Sequence, residues 1–422
     1  VFRRNLIALA LSLCLTSAAA IAADQNGFAS PREALITSLN HALSVADLDG
    51  LTARYGSKDP VEHALAAMAI ERVHGNFEQS SNIGRTCESS LKTSEPFVAH
   101  YCARFVAANL RLMGERQKAA TEEKRIAEAY RTVLPSSVIN NPDLTQAALY
   151  ETLPITTANV PEGITTIPLK KSVGRSSMVD VTVNGKSQLM KLGTGAYTIL
   201  GENTAKDLGV KVLLEKDGSI HGPVGAATNK KLGFIEKLKI GNIELDNVPA
   251  SLVHDEKLNL LGIDVLQRLG SFQIQRDALI VYGANATQPA CETPLLVSTN
   301  FWGGVPRVLA QITVDGVPEN ALFDTGTTLY LTSNQPATQG PLQAGGQLRL
   351  KVVNNGSQAV RFSRTTSNVD MAGKHYQLTY ATMEDIRVNQ KYILGEGALQ
   401  DVNLFVDFKK RVSCLLPRFP EK

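Results

Sequence analysis

The chain has 422 residues, enough for two or three domains with their own cores, because a single core rarely grows past roughly 250–300 residues. Its 43 Lys and Arg against 40 Asp and Glu leave it nearly neutral. With no basic run and no interleaved aromatic stripe, no nucleic-acid partner is expected. The seven histidines are scattered and no C-x-x-C pair occurs, so neither a metal nor a cofactor is expected.

The segment 1–22 reads as a signal peptide. Arg3-Arg4 supply the basic start, Leu6 to Leu15 an apolar stretch too short to span a bilayer, and Ala20-Ile21-Ala22 a cleavage site. Leu13 stands before Cys14 where lipidation needs a small residue. No later apolar run reaches the roughly 18 residues of a membrane span, and the style of the signal predicts a bacterial periplasmic or secreted product. In such an oxidising compartment Cys87, Cys102, Cys291 and Cys414 should pair, with three connectivities open.

Residues 23–135 are expected to form an α-helical domain. In Val61–Phe77 the positions Ala64, Leu65, Met68, Ala69 and Val73 recur at three- and four-residue steps and His74-Gly75 closes the run. Tyr101, Ala103, Phe105, Ala108 and Leu112 repeat the arrangement before Gly114. Two helix-turn-helix units resemble a tetratricopeptide-type (TPR) array, which implies a docking surface for a protein partner. A plain helical prodomain is the other reading. Residues 136–160, with Pro142 and Pro154 among Ser, Asn and Thr, are expected to be a linker. Beyond them the period becomes two, as in Met178–Val183 and Gln347–Val352, with turns at Asn184-Gly185, Asp315-Gly316 and Asn355-Gly356. The fold class is therefore multidomain: a helical domain followed by an all-β region in two halves, residues 161–285 and 286–422.

The halves carry a repeated motif. Ala321-Leu322-Phe323-Asp324-Thr325-Gly326-Thr327 in the second is answered by Met190-Lys191-Leu192-Gly193-Thr194-Gly195 in the first. Aligning Val181-Thr182-Val183-Asn184-Gly185 with Ile312-Thr313-Val314-Asp315-Gly316 places Gly193 in the position of Asp324. Downstream, Leu260-Leu261-Gly262 is matched by Ile393-Leu394-Gly395 at nearly the same offset. Acid hydrolysis of a peptide bond uses two carboxylates about 3 Å apart that share one proton, one as base on a water and the other as acid on the carbonyl.

In order, spacing and context these motifs resemble the pepsin and retropepsin superfamily of aspartic peptidases. The resemblance implies a bilobal acid-protease fold, with extended polypeptide as substrate or peptide ligand in a cleft between the lobes. It makes Asp324 a catalytic aspartate, Thr194, Gly195, Thr325, Gly326 and Thr327 the active-site loops, and Leu261, Gly262, Leu394 and Gly395 the support behind them. His221, Gly222 and Gly225 resemble the flap of bacterial retropepsin-like domains, and the second flap has no clear place. Asp264 is expected to cap a helix. As terminal segments of the second lobe, Cys291 and Cys414 are expected to pair, leaving Cys87 with Cys102.

Gly193 is the departure from the pattern. Three readings follow: a peptidase-family copy impaired by one Asp→Gly change, a pseudopeptidase that binds peptide through the cleft and helical repeats, and a homodimer in which two Asp324 loops meet.

Overall fold

The computed structural model describes residues 30–135, 138, 144–171, 176–216, 220–222, 225–227, 230–254, 258–335, 343–351, 357–383 and 388–418. The signal-peptide reading of residues 1–22 falls outside them.

Six helices come first: α1 (Pro31–Val45), α2 (Leu48–Tyr55), α3 (Pro60–Val73), α4 (Phe77–Leu91), α5 (Pro96–Leu112) and α6 (Arg116–Tyr130). Their ends follow from local chemistry. Ser30 and Glu33 form a reciprocal capping box ahead of Pro31, and Asp59 accepts from Val61 N ahead of Pro60, so donors left over at each helix start are satisfied. Gly75 (φ 68) and Gly114 (φ 72) take the left-handed conformation that ends α3 and α5. Cys87 and Cys102 are joined between α4 and α5.

The segment 136–160, expected to be a linker, carries secondary structure of its own. Helix α7 (Leu144–Thr152) lies within it, and Thr157–Asn159 adds an edge strand by pairing with residues 244–246. The prolines that suggested a linker bracket this helix from outside, where proline terminates without breaking.

The β region is a duplicated closed sheet. The first lobe contains β1 (Ser177–Val183), β2 (Lys186–Gly193), β3 (Ile199–Gly201), β4 (Lys211–Lys216), β5 (Lys230–Ile240), β6 (Ile243–Val253) and β7 (Leu260–Gly262). The second contains β8 (Arg307–Val314), β9 (Val317–Asp324), β10 (Leu331–Ser333), β11 (Gln343–Lys351), β12 (Ser357–Met371), β13 (Lys374–Thr382) and β14 (Tyr392–Gly395). The pairings recur one for one. Hairpins β1–β2 and β8–β9 turn at Asn184-Gly185 and Asp315-Gly316, all four residues at positive φ, the geometry that matches the twist of antiparallel strands. β2 then runs parallel to β7, as β9 does to β14. β7 and β14 pair antiparallel with β3 and β10, which run parallel to β6 and β13. Contacts of β5 with β6 and β1, and of β12 with β13 and β8, close each ring.

A separate five-stranded sheet joins the lobes, in the order Ile164–Pro168, Ala278–Tyr282, Ser271–Ile274, Val402–Asp407, Val412–Pro417. Its seam sets Phe272 opposite Val406. One hydrophobic core, including Phe272, Leu279, Phe323 and Val406, runs through both lobes. Cys291 is bonded to Cys414 on the last strand, beside a bridge between Pro294 and Val412. A second core packs Leu39, Leu43, Leu65 and Phe105 of the helices against Leu296, Phe301, Leu309, Leu322 and Ile393 of the second lobe.

Candidate active site

Gly193 and Asp324 end the equivalent strands β2 and β9, and each stands beside the glycine of its parallel neighbour, Gly193 by Gly262 and Asp324 by Gly395. Those neighbours have no room for a side chain. A Cβ on Gly262 would lie 2.3 Å from Thr198 N, and one on Gly395 would lie 2.2 Å from Leu329 O. The loop after each active-site strand crosses there, which is why a Leu-Gly pair recurs.

The two loops are locked together by their threonines. Thr194 Oγ1 donates to Phe323 O (2.7 Å) and accepts from Thr325 N (3.1 Å). Thr325 Oγ1 donates to Leu192 O (2.8 Å) and accepts from Thr194 N (3.2 Å). Both threonines are fully buried, so these four bonds are sheltered from competing water. The exchange places the first lobe where a second copy's loop would have to stand, which argues against the homodimer.

The carboxylate of Asp324 lies over the opposite loop. A Cβ on Gly195 would be 2.7 Å from its Cγ, so only glycine permits the approach. Gly326 N donates to its Oδ1 at 2.7 Å. Thr327 lies beneath, its carbonyl accepting from Glu396 N at 2.8 Å, and Ala196 O accepts from Ile263 N at 2.9 Å on the other side. Facing Asp324 there is no second carboxylate among the described residues. Gly193 is buried, and a Cβ built on it would meet the Leu260 side chain at 2.6 Å. Leucine therefore occupies space that a side chain at position 193 would claim.

Other charged groups complete the site. Lys191 Nζ donates across the lobes to Gly326 O at 2.7 Å. Arg307 begins β8 and pairs with Ser298, two residues before the point where the β8–β9 ladder ends at Leu309 and Leu322. Burial lowers the pKa of Arg307 while the Asp324 charge favours its protonated form. Behind the loops, Glu396 is buried and bridges the lobes, accepting from Lys171 Nζ (2.6 Å), Ser177 N (2.8 Å) and Ser177 Oγ (2.7 Å).

Asp264 has a different part from the expected helix cap. It lies in the first turn of α8 (Ile263–Leu269), whose cap position is Gly262. Its carboxylate accepts from Thr198 N (2.8 Å) and Thr198 Oγ1 (2.9 Å), with Arg116 of the helical domain at 4.0 Å. It therefore holds the first active-site loop from behind. Burial raises its pKa, opposed by Arg116 and the Thr198 hydrogen bonds.

The segment with His221, Gly222 and Gly225 forms a hairpin between Ile220–Gly222 and Gly225–Ala227. In the second lobe the long β11–β12 hairpin holds the topologically equivalent place, and its connection at 352–356 lies outside the described residues. Sequence reasoning did not single out Lys191, Arg307, Glu396 or Leu260. Only the last carried a signal, as the first residue of the repeated Leu-Leu-Gly motif.

Residues 179–268 match the family described as "gag-polyprotein putative aspartyl protease". The first lobe is thus similar in sequence to the retropepsin-like aspartic peptidases. The matched segment runs from β1 into α8 and includes Gly193, Gly195 and Gly262. Among solved structures, a retropepsin-like aspartic protease from Rickettsia conorii is 21% identical, with 30% of this chain and 98% of that chain covered and a TM-score of 0.25. No curated protein is significantly similar in sequence.

Proposed function

We propose that this retropepsin-like protein takes extended polypeptide into the cleft between its lobes and, with Gly193 in place of a second aspartate, holds it without efficient hydrolysis. The observation that carries this reading is the assembled Thr194–Thr325 lock around a single carboxylate. A site in decay has no need of four buried hydrogen bonds between loops. Yet one carboxylate lacks the partner that would keep a proton for the scissile carbonyl while it activates water. Binding by backbone pairing with the flap hairpin needs no second aspartate. Two disulfides suit an oxidising compartment, consistent with export to the periplasm.

The test is to supply the missing carboxylate. Gly193→Asp requires Leu260 to rotate away, and the second lobe indicates the remedy, because Ile393 stands beside β9 in the register where Leu260 stands beside β2. The variant is therefore made alone and together with Leu260→Ile. We expect cleavage of unfolded polypeptide below neutral pH by at least one of the two, abolished by Asp324→Asn, and binding without cleavage by the parent. Efficient cleavage by the parent itself would refute the holding reading. Folded variants that neither bind nor cut would refute the cleft as the functional site.

A further inference from the structure

Arg307 is a cation on the cleft floor that the fold does not explain. Among the described residues it has no hydrogen-bond or ion-pair partner, although it is partly buried, stands two residues beyond the end of the β8–β9 ladder and feels the charge of Asp324 at the end of β9. The fully buried Arg72 is by contrast heavily used, donating to Asn109 Oδ1, Phe105 O, Asn300 O and Phe301 O. The lobe duplication supplies an internal comparison, since the equivalent position of the first lobe is Ser176, two residues ahead of Met178, where the β1–β2 ladder ends against Lys191. An arginine is therefore not required to build this corner of the barrel.

The charges around Asp324 point the same way. Lys191 reaches Gly326 beside it, Arg307 feels its charge, and Gly193 contributes none. A guanidinium with no hydrogen-bond partner among the described residues is suited to a planar anion, which it can grip through two parallel N–H bonds. Solvent exclusion by a bound peptide would strengthen that grip.

We infer that Arg307 is a specificity residue that reads a carboxylate on the bound polypeptide, so that the cleft prefers acidic peptides over neutral ones. The inference rests on the proposed peptide-binding role and names the ligand class for that site. The carboxylate can be an Asp or Glu side chain within the peptide or the free C-terminus of the chain. Because Ser176 holds the matching place in the first lobe, the preference should act at one end of the cleft only.

The experiment measures fluorescence anisotropy with labelled dodecapeptides of one apolar background. In one set a single Glu or Gln is walked along the peptide, and in another the C-terminus is acid or amide. For the intact parent we expect Glu at one register, or the C-terminal acid, to bind about tenfold or more tighter than its neutral twin, as suits a charge-assisted hydrogen bond. Arg307→Gln should reduce that ratio to within about twofold while neutral peptides keep their affinity, and Arg307→Lys should retain part of it. The arm with the larger ratio identifies the source of the carboxylate. Equal affinity of the parent for acidic and neutral peptides, or an undiminished ratio in a folded Arg307→Gln protein, overturns the inference and leaves the peptide-binding role intact. Absence of binding by every peptide overturns both.

Discussion

Replacing Thr325 by valine tests whether the lock between the lobes has the energetic weight its geometry implies. Valine keeps the branched shape but removes the hydroxyl that donates to Leu192 O and accepts from Thr194 N. Both abandoned groups belong to the opposite loop in a region where Thr194 and Thr325 are fully buried, so water cannot readily replace the lost partner. At roughly 1–3 kcal/mol for each orphaned buried group, the substitution should cost about 2–6 kcal/mol. Thr325→Ser is the control, because it keeps both hydrogen bonds and loses one methyl, worth about 1 kcal/mol. Thr194→Val should mirror the effect through Phe323 O and Thr325 N. The double variant should cost less than the sum, since loops that part can rehydrate together. Urea unfolding followed by far-UV circular dichroism and by the single tryptophan, Trp302, would report the midpoints, with separate transitions fitted where the lobes part before the helices. If Thr325→Val unfolds at the same urea concentration as Thr325→Ser, the hydrogen bonds contribute nothing beyond packing and the reasoning fails.

Arg72→Met should lower stability by several kcal/mol, at roughly 1–3 kcal/mol for each buried acceptor it strands, because Arg72 serves carbonyl groups on α5 and at residues 300–301; unchanged melting would contradict this. Reducing Cys291–Cys414, which closes a separation of 123 residues, should cost about 4–5 kcal/mol in the chain-entropy picture, and Cys414→Ser should match it in a denaturation curve. His100 gives a pH prediction. It is buried with Nδ1 unpaired, and burial, helped by the Arg104 charge, lowers its pKa from 6.5 to about 4. The unfolded chain takes up that proton as pH falls below its ordinary value and the folded chain does not until about pH 4. Stability should therefore decline across this window by roughly 3 kcal/mol, and His100→Phe should flatten the melting-temperature profile there.

The sequence made the active-site loops legible because their chemistry is local. A β-turn, a strand ending in an apolar residue one before the aspartate position, and Thr-Gly recur in the same order in both halves, and the supporting Leu-Gly pairs recur with them. The helices were legible through their spacing and caps. What escaped depends on register and on partners distant in the chain. Arg307 at the start of a strand reads as an ordinary surface residue until the folding of β8 against β9 brings it under the charge of Asp324. Glu396 reads as a helix-start acid until Lys171 and Ser177, from the other lobe, enclose it. Leu260 looked like mere support for Gly262, and only the built side chain reveals that it covers Gly193. Arg72 lies in an amphipathic pattern where an arginine is normally solvated, and its burial is imposed by residues 300–301 of another domain. The short helix α7 was hidden by the prolines that bound it.

The same distant contacts bear on what the helical domain is for. A removable prodomain would leave behind a β region able to stand alone, but here removal would uncover Leu296, Phe301, Leu309, Leu322 and Ile393 together. Two of these sit on the active-site strands, Leu309 two residues from Arg307 and Leu322 two residues from Asp324. At about 25 cal/mol per Å² of apolar surface, exposing several such side chains costs more than a marginally stable lobe can spare. On the first lobe, Arg268 donates to Gly114 O at 2.7 Å, Gln267 to Leu112 O at 2.9 Å, and Arg116 approaches Asp264 behind Thr198. The helices therefore brace both active-site loops from the rear. Any shift of α5 or α6 would therefore act directly on the supports of Asp324 and Gly193.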